Sequence, residues 1–134
     1  MKFQEVQPSD DELRVMLETG FVLREMGKFA EAADIFRGVA EFIPNSDVPL
    51  VGLGTVEFQQ GHFDEAYAAY EEALRVKPDS VFARVHRAEA LLFQGKRDEA
   101  EPQLQEIVAT AADSPHSRTA QALLDIADLI NPIA

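Results

Sequence analysis

At 134 residues, with 46% hydrophobic and 27% charged side chains, the chain is sized for one domain or one short repeat array and can bury a continuous core. A formal net charge of −12 opposes contact with nucleic-acid phosphates or anionic lipid, both of which need a cationic surface. The lack of cysteine excludes a disulfide framework, a thiolate metal site and a cysteine nucleophile. With no run of 18 apolar residues and no signal-peptide core after Met1, the expected location is the cytoplasm.

Residues 1–9 are expected to form a flexible lead-in, with only Phe3 and Val6 as apolar anchors before Pro8. Ser9 and Glu12 have capping-box spacing, and three acidic residues suit a first helical turn, so a helix is predicted from Asp10. Leu13, Met16, Leu17, Gly20, Phe21 and Leu23 continue it at three-and-four spacing until Gly27, a residue able to end it in the left-handed conformation. A second helix carries Ala32, Ala33, Phe36, Val39, Ala40 and Ile43 and breaks at Pro44. The same grammar returns with Leu50, Leu53, Gly54, Val56 and Phe58 before Gly61, then Ala66, Tyr70, Ala73, Leu74 and Val76 before Pro78. It returns again with Phe82, Val85, Ala88, Leu91, Leu92 and Phe93 before Gly95, then Ala100, Leu104, Ile107 and Val108, with Pro102 placed in the first turn, where its missing donor costs little. Asp113-Ser114-Pro115 opens a last helix with Ala120, Leu123, Leu124, Ala127 and Ile130 on one side, Asp125 and Asp128 off that stripe, and an end at Asn131-Pro132.

The turn Gly27-Lys28-Phe29-Ala30-Glu31-Ala32 recurs as Gly61-His62-Phe63-Asp64-Glu65-Ala66 and as Gly95-Lys96-Arg97-Asp98-Glu99-Ala100, each copy 34 residues after the last. Gly20, Gly54 and Ala88 keep that step, as do Phe36, Tyr70 and Leu104, and Pro44 and Pro78, with Ala112 departing. This pattern resembles tetratricopeptide (TPR) repeats. The resemblance implies an all-α fold: a right-handed solenoid of three helical hairpins over residues 10–114 (repeats 13–46, 47–80 and 81–114), followed by a C-terminal capping helix and tail over 115–134.

Chemistry is sparse. His62, His86 and His116 have no metal-ligand spacing, and Gly52-Leu53-Gly54-Thr55 lacks the third glycine and the strand of a nucleotide loop. The pairs Asp64-Glu65, Glu71-Glu72 and Asp98-Glu99 read as solubilising faces, and Arg84, Arg87, Lys96 and Arg97 as a solvated basic face. No catalytic residue, metal or cofactor is expected.

In TPR proteins the first helices of the hairpins line the concave side. The resemblance therefore assigns that surface to Arg14, Leu17, Phe21, Arg24 and Glu25, then Val48, Val51, Thr55, Phe58 and Gln59, then Phe82, Val85, Glu89, Leu92 and Phe93. Phe21, Phe58, Phe82 and Phe93 are too many large side chains for a solvated face and suit a groove for an extended partner segment; the other reading is that neighbouring repeats or the terminal helix cover much of this surface. TPR domains that grip the carboxylate end of cytosolic chaperones carry Lys, Asn and Arg where this chain has Leu17, Phe21, Thr55, Phe82 and His86, so that clamp is not expected.

Val51-Gly52-Leu53-Gly54, the Gly61-x-Phe63-Asp64-x-Ala66 turn, and the run from His86 to Gly95 followed by Glu99-Ala100-Glu101 are similar to the class II chaperones of bacterial type III secretion. That resemblance implies a protein that holds an extended apolar segment of a membrane-inserting translocator in its groove, with a homodimer as a second partner expectation. The other function the pattern admits is a general TPR adaptor or assembly subunit using convex or terminal surfaces.

Overall fold

A computed structural model describes residues 7–132. Most of the expected lead-in, including Phe3 and Val6, and the last two residues of the tail lie outside the described residues. The elements in order are α1 (Asp10–Glu25), α2 (Phe29–Phe42), α3 (Val48–Gln59), α4 (Phe63–Val76), α5 (Val81–Phe93), α6 (Arg97–Thr110), α7 (Pro115–Asp125) and α8 (Ala127–Ile130), with no strand among the described residues. They form three antiparallel hairpins and a terminal pair, each helix packed on the next.

Local chemistry sets the helix ends. Ser9 Oγ accepts from the Glu12 amide at 3.1 Å while Glu12 Oε1 accepts from the Ser9 amide at 3.2 Å, completing the capping box at the start of α1. At the end of α1, Gly27 takes a φ of 74°, and the amides of Gly27 and Lys28 donate to the carbonyls of Arg24 and Leu23. This double closure recurs at Gly61 and Gly95, so each hairpin turns through the same glycine-dependent motif.

One large residue per hairpin fixes how the units stack. The Phe36 ring is fully buried between Gly20 of α1 and Gly52 of α3, where a Cβ would come within 2.9 Å and 2.5 Å of it. Tyr70 sits in the same way against Gly54, leaving 2.3 Å for a Cβ, with the His86 ring of α5 on its other side at 5.7 Å. In the third unit the smaller Leu104 shares a core with Ala88 and Ala120, and alanine is accommodated there. Gly52 and Gly54 thus seat two aromatic rings, which is why that stretch imitates a nucleotide loop without being one. Successive units are also tied by a buried hydrogen bond from Ser80 Oγ to Asp47 Oδ2, and the same Ser80 oxygen caps α5 by accepting from the Ala83 amide.

Three expectations need correction. Pro102 lies in the second turn of α6, not the first, because the glycine turn ends at Lys96 and the helix begins at Arg97; its ring is exposed, so the Asp98 carbonyl that loses a helical donor can face water. The terminal helix is two helices: α7 stops at Ile126, and the four-residue α8 turns in to bury Ala127 against the core of the third unit. The basic face is not solvated throughout. Arg87 pairs with Glu71 across α4 and α5, and Arg97, with a side chain only 16% exposed, binds Glu101, Asp128 at 2.6 Å and the Asn131 carbonyl at 3.0 Å. Hydrogen bonds first to Glu101 and then to Asp128 raise the Arg97 pKa, so it is a permanent cation that ties α8 to α6. Arg97→Ala should release this end: amide exchange over residues 126–132 should accelerate at least tenfold while exchange in α3 and α4 stays as it was.

Candidate functional site: the concave face

Helices α1, α3, α5 and α7 pack side by side, whereas α2, α4 and α6 make no comparable contact with one another. The odd-numbered helices therefore form the tighter, inner layer, and their free faces make the concave side. Cross-helix contacts run along it: Arg24 Nη1 of α1 donates to Thr55 Oγ1 of α3 at 2.8 Å, Phe58 of α3 meets Phe93 of α5 edge-on at 4.9 Å, and Phe82 of α5 stacks on His116 of α7 at 5.1 Å.

Of the residues assigned to this surface, Arg14, Gln59 and Phe93 are exposed, and Leu17, Phe21, Arg24, Val48, Phe58, Phe82 and Glu89 are partly buried. Four are not surface residues. Val51 and Thr55 are buried because α3 is packed by helices on nearly every side; Val51 shares a cluster with Ala83 and Ala90 of α5. Val85 and Leu92 are buried because α7 and α8 close over them with Ala120, Leu123 and Ala127. The terminal helices thus cap the third unit and consume part of the face assigned to α5.

What remains is an apolar surface with a few ordered polar groups. Phe58, Phe93 and Phe63 form a triangle with centroid separations of 4.9, 5.1 and 5.3 Å; Phe93, at 40% exposure, is its open member. Phe63 is an addition, contributed by the first turn of α4, and its signal was present in the recurring glycine turn itself. Phe82 lies between two imidazoles, stacked on His116 and edge-on to His86 at 5.2 Å. Arg24 bridges α1 and α3, held by Thr55, by Glu25 at 2.6 Å and by the Phe21 ring, 5.3 Å from its guanidinium carbon. Among the described residues no group of three or more His, Asp or Glu could hold a metal, and no helix is long and apolar enough to cross a membrane.

Burial lowers the pKa of His116 below its ordinary 6.5, the neighbouring His86 adds to this, and Asp47 opposes both. Since the fold prefers the neutral ring, the unfolded chain binds the proton first as pH falls. Stability from this residue is intact above about 6.5 and is lost on acidification below it. His116→Gln should flatten the fall in Tm between pH 7 and pH 5.5; an unchanged fall would place the effect on other groups.

Models described as tetratricopeptide repeats match residues 57–124 and residues 14–46. The chain belongs to the tetratricopeptide repeat family. Among curated relatives, this TPR chain is 28% identical over 108 residues to human DnaJ homolog subfamily C member 3, a match covering 81% of the chain but 21% of the relative, so the chain spans about a fifth of that protein's length. Among solved structures it is similar to PcrH of Pseudomonas aeruginosa (25% identity, TM-score 0.76, covering 90% of this chain and 94% of PcrH). It is also similar to the type III secretion translocator chaperone SycD of Yersinia enterocolitica (25% identity, TM-score 0.74, covering 87% and 90%). SycD has been crystallised with a peptide of the translocator YopD and in an alternative dimer, and PcrH with the chaperone binding regions of PopD and PopB.

Proposed function

We propose that this TPR protein is a non-enzymatic chaperone that holds an extended apolar segment of a translocator-like client against the concave face of α1, α3 and α5. One observation carries the reading: the fold matches PcrH and SycD over nearly the whole of both chains, and its concave face keeps Phe21, Phe58, Phe82 and Phe93 at least partly open. A residue of this kind is costly to leave in water and gains from a partner. Burial of three or four client side chains at about 1.5–3 kcal/mol each, less the cost of association and ordering, is compatible with roughly micromolar binding or tighter. The net charge of −12 would keep the complex soluble while the client's apolar segment is covered. In this reading the protein works in the cytoplasm, on a client not yet exported.

Co-expression tests it. Translocators of the PopB, PopD or YopD kind should move from the insoluble to the soluble fraction in the presence of this chain and elute with it; a client that stays insoluble counts against a chaperone. A second reading, an adaptor or homodimer that uses a terminal surface, is favoured by one feature. Val15, Val22 and Met26 leave α1 with an apolar stripe 54–61% exposed at the N-terminal edge of the solenoid. An adaptor would bind its partner without changing the partner's solubility.

A further inference from the structure

An extended apolar segment brings a second requirement into any groove. Each of its residues carries a main-chain carbonyl, and an acceptor buried without a donor costs more than the hydrogen bond it lost was worth. Two buried donors close to the middle helix, α3, are unused. Tyr70 of α4 is fully buried, its ring seated against Gly54 of α3, and its hydroxyl has no protein partner. Two concave side chains reach this neighbourhood: Glu89 of α5 is bonded to His86, whose ring lies 5.7 Å from the Tyr70 ring, and Arg24 of α1 is bonded at 2.8 Å to Thr55, next in the chain to Gly54. Both belong to the groove, one from each side of α3. Arg24 uses Nη1 on Thr55 and Nη2 on Glu25, while its buried Nε donates to nothing in the protein.

We propose that Tyr70 Oη and Arg24 Nε are a hydrogen-bonding station for a main-chain carbonyl of the client, so that the segment is registered across α3 by a polar contact and not by apolar side chains alone. The station rests on the groove reading above and sharpens it. Its electrostatics select a neutral acceptor. Arg24 is already paired with Glu25, and Glu89 is bonded at 3.1 Å to His86, whose ring lies against Tyr70, so a client carboxylate would meet two carboxylates and a chain of net charge −12. In an apolar segment the neutral acceptor always available is the backbone carbonyl. Both donors are closed from solvent in the free protein, and the side chain that yields is Arg24, whose bond to the uncharged Thr55 a carbonyl can replace.

The test uses Tyr70→Phe in the full chain and peptides tiled from YopD, PopD and PopB as probes. Phenylalanine keeps the ring, occupies the equivalent place in the first unit as Phe36, and removes a hydroxyl that lacks a partner, so the Tm of the free protein should hold or rise. The best-binding peptide should nevertheless lose about fivefold to tenfold in affinity. A backbone-ester scan of that peptide weakens one carbonyl at a time, and one position should cost affinity in the wild type but not in Tyr70→Phe. Affinity unmoved by Tyr70→Phe, or ester losses equal in both proteins at every position, overturns the station and leaves the groove standing. Coupling of Tyr70 to an acidic side chain in an alanine scan overturns the choice of a main-chain carbonyl. If no tiled peptide binds the wild type, or if Phe93→Glu leaves binding intact, the groove reading fails and the station with it.

Discussion

Phe93→Glu is expected to weaken client binding by at least about 30-fold while leaving helical content unchanged. Phe93 is the open member of the Phe58–Phe63–Phe93 triangle, so a client side chain packing there gains its apolar contact without the protein having to rearrange. Glutamate removes that contact and puts a charge where the client must desolvate it, a combination of about 2 kcal/mol or more, which is the source of the fold-change. In the free protein the same substitution costs little, because a charge on a residue 40% exposed can reach water. Phe58→Glu is the instructive contrast. Phe58 packs against the core of the second unit, so a charge there should lower Tm as well as binding, and loss of binding in that variant alone would not locate the client. Fluorescence anisotropy with a labelled translocator peptide, read beside circular dichroism, separates the two effects.

Phe36→Ala should cost about 3–5 kcal/mol, the usual loss for a fully buried aromatic ring, and lower Tm by roughly 10–20 °C. The ring fills the space between α1, α2 and α3, and the two glycines beside it leave nothing able to move in and close the void. Because solenoid stability is passed between neighbours, the loss should appear first as faster amide exchange in α1 and α2 and only later in α5 and α6. The same geometry predicts a repair. Gly20→Ala with Gly52→Ala overpacks against Phe36 and should be destabilising despite the better helix propensity of alanine. Adding Phe36→Leu recreates the Ala88, Leu104, Ala120 arrangement of the third unit and should recover most of the loss. A triple variant no more stable than the double would mean that the units are not interchangeable in this respect.

The parts of this molecule that depend on local chemistry are legible in the sequence. The capping box at Ser9, the three glycine turns and the 34-residue step of Phe36, Tyr70 and Leu104 are each decided within a few residues, and they set the register that places Phe21, Phe58, Phe82 and Phe93 on one side. What depends on which neighbour lies across a face is not. Periodicity finds the faces of a helix but cannot say that α5 covers Val51 or that α7 and α8 cover Val85 and Leu92. Pro102 falls in the second turn of α6 and not the first, because hydrophobic spacing does not locate where a helix starts. Arg97 looked solvated because one of its partners, Asp128, is 31 residues away. The Tyr70 hydroxyl was hidden for a related reason. Its ring has an obvious place in the repeat, and only the folded arrangement leaves the oxygen buried without a partner.

The concave face can be tested in the most direct way with a photoreactive phenylalanine analogue introduced singly at Phe93, on the concave layer, and at Phe42, an exposed position at the end of α2 on the outer layer. Illumination of cells co-expressing a translocator should give a crosslink to that client from position 93 and none from position 42. A crosslink from position 42 with none from position 93 would contradict the assignment of the client to the concave face.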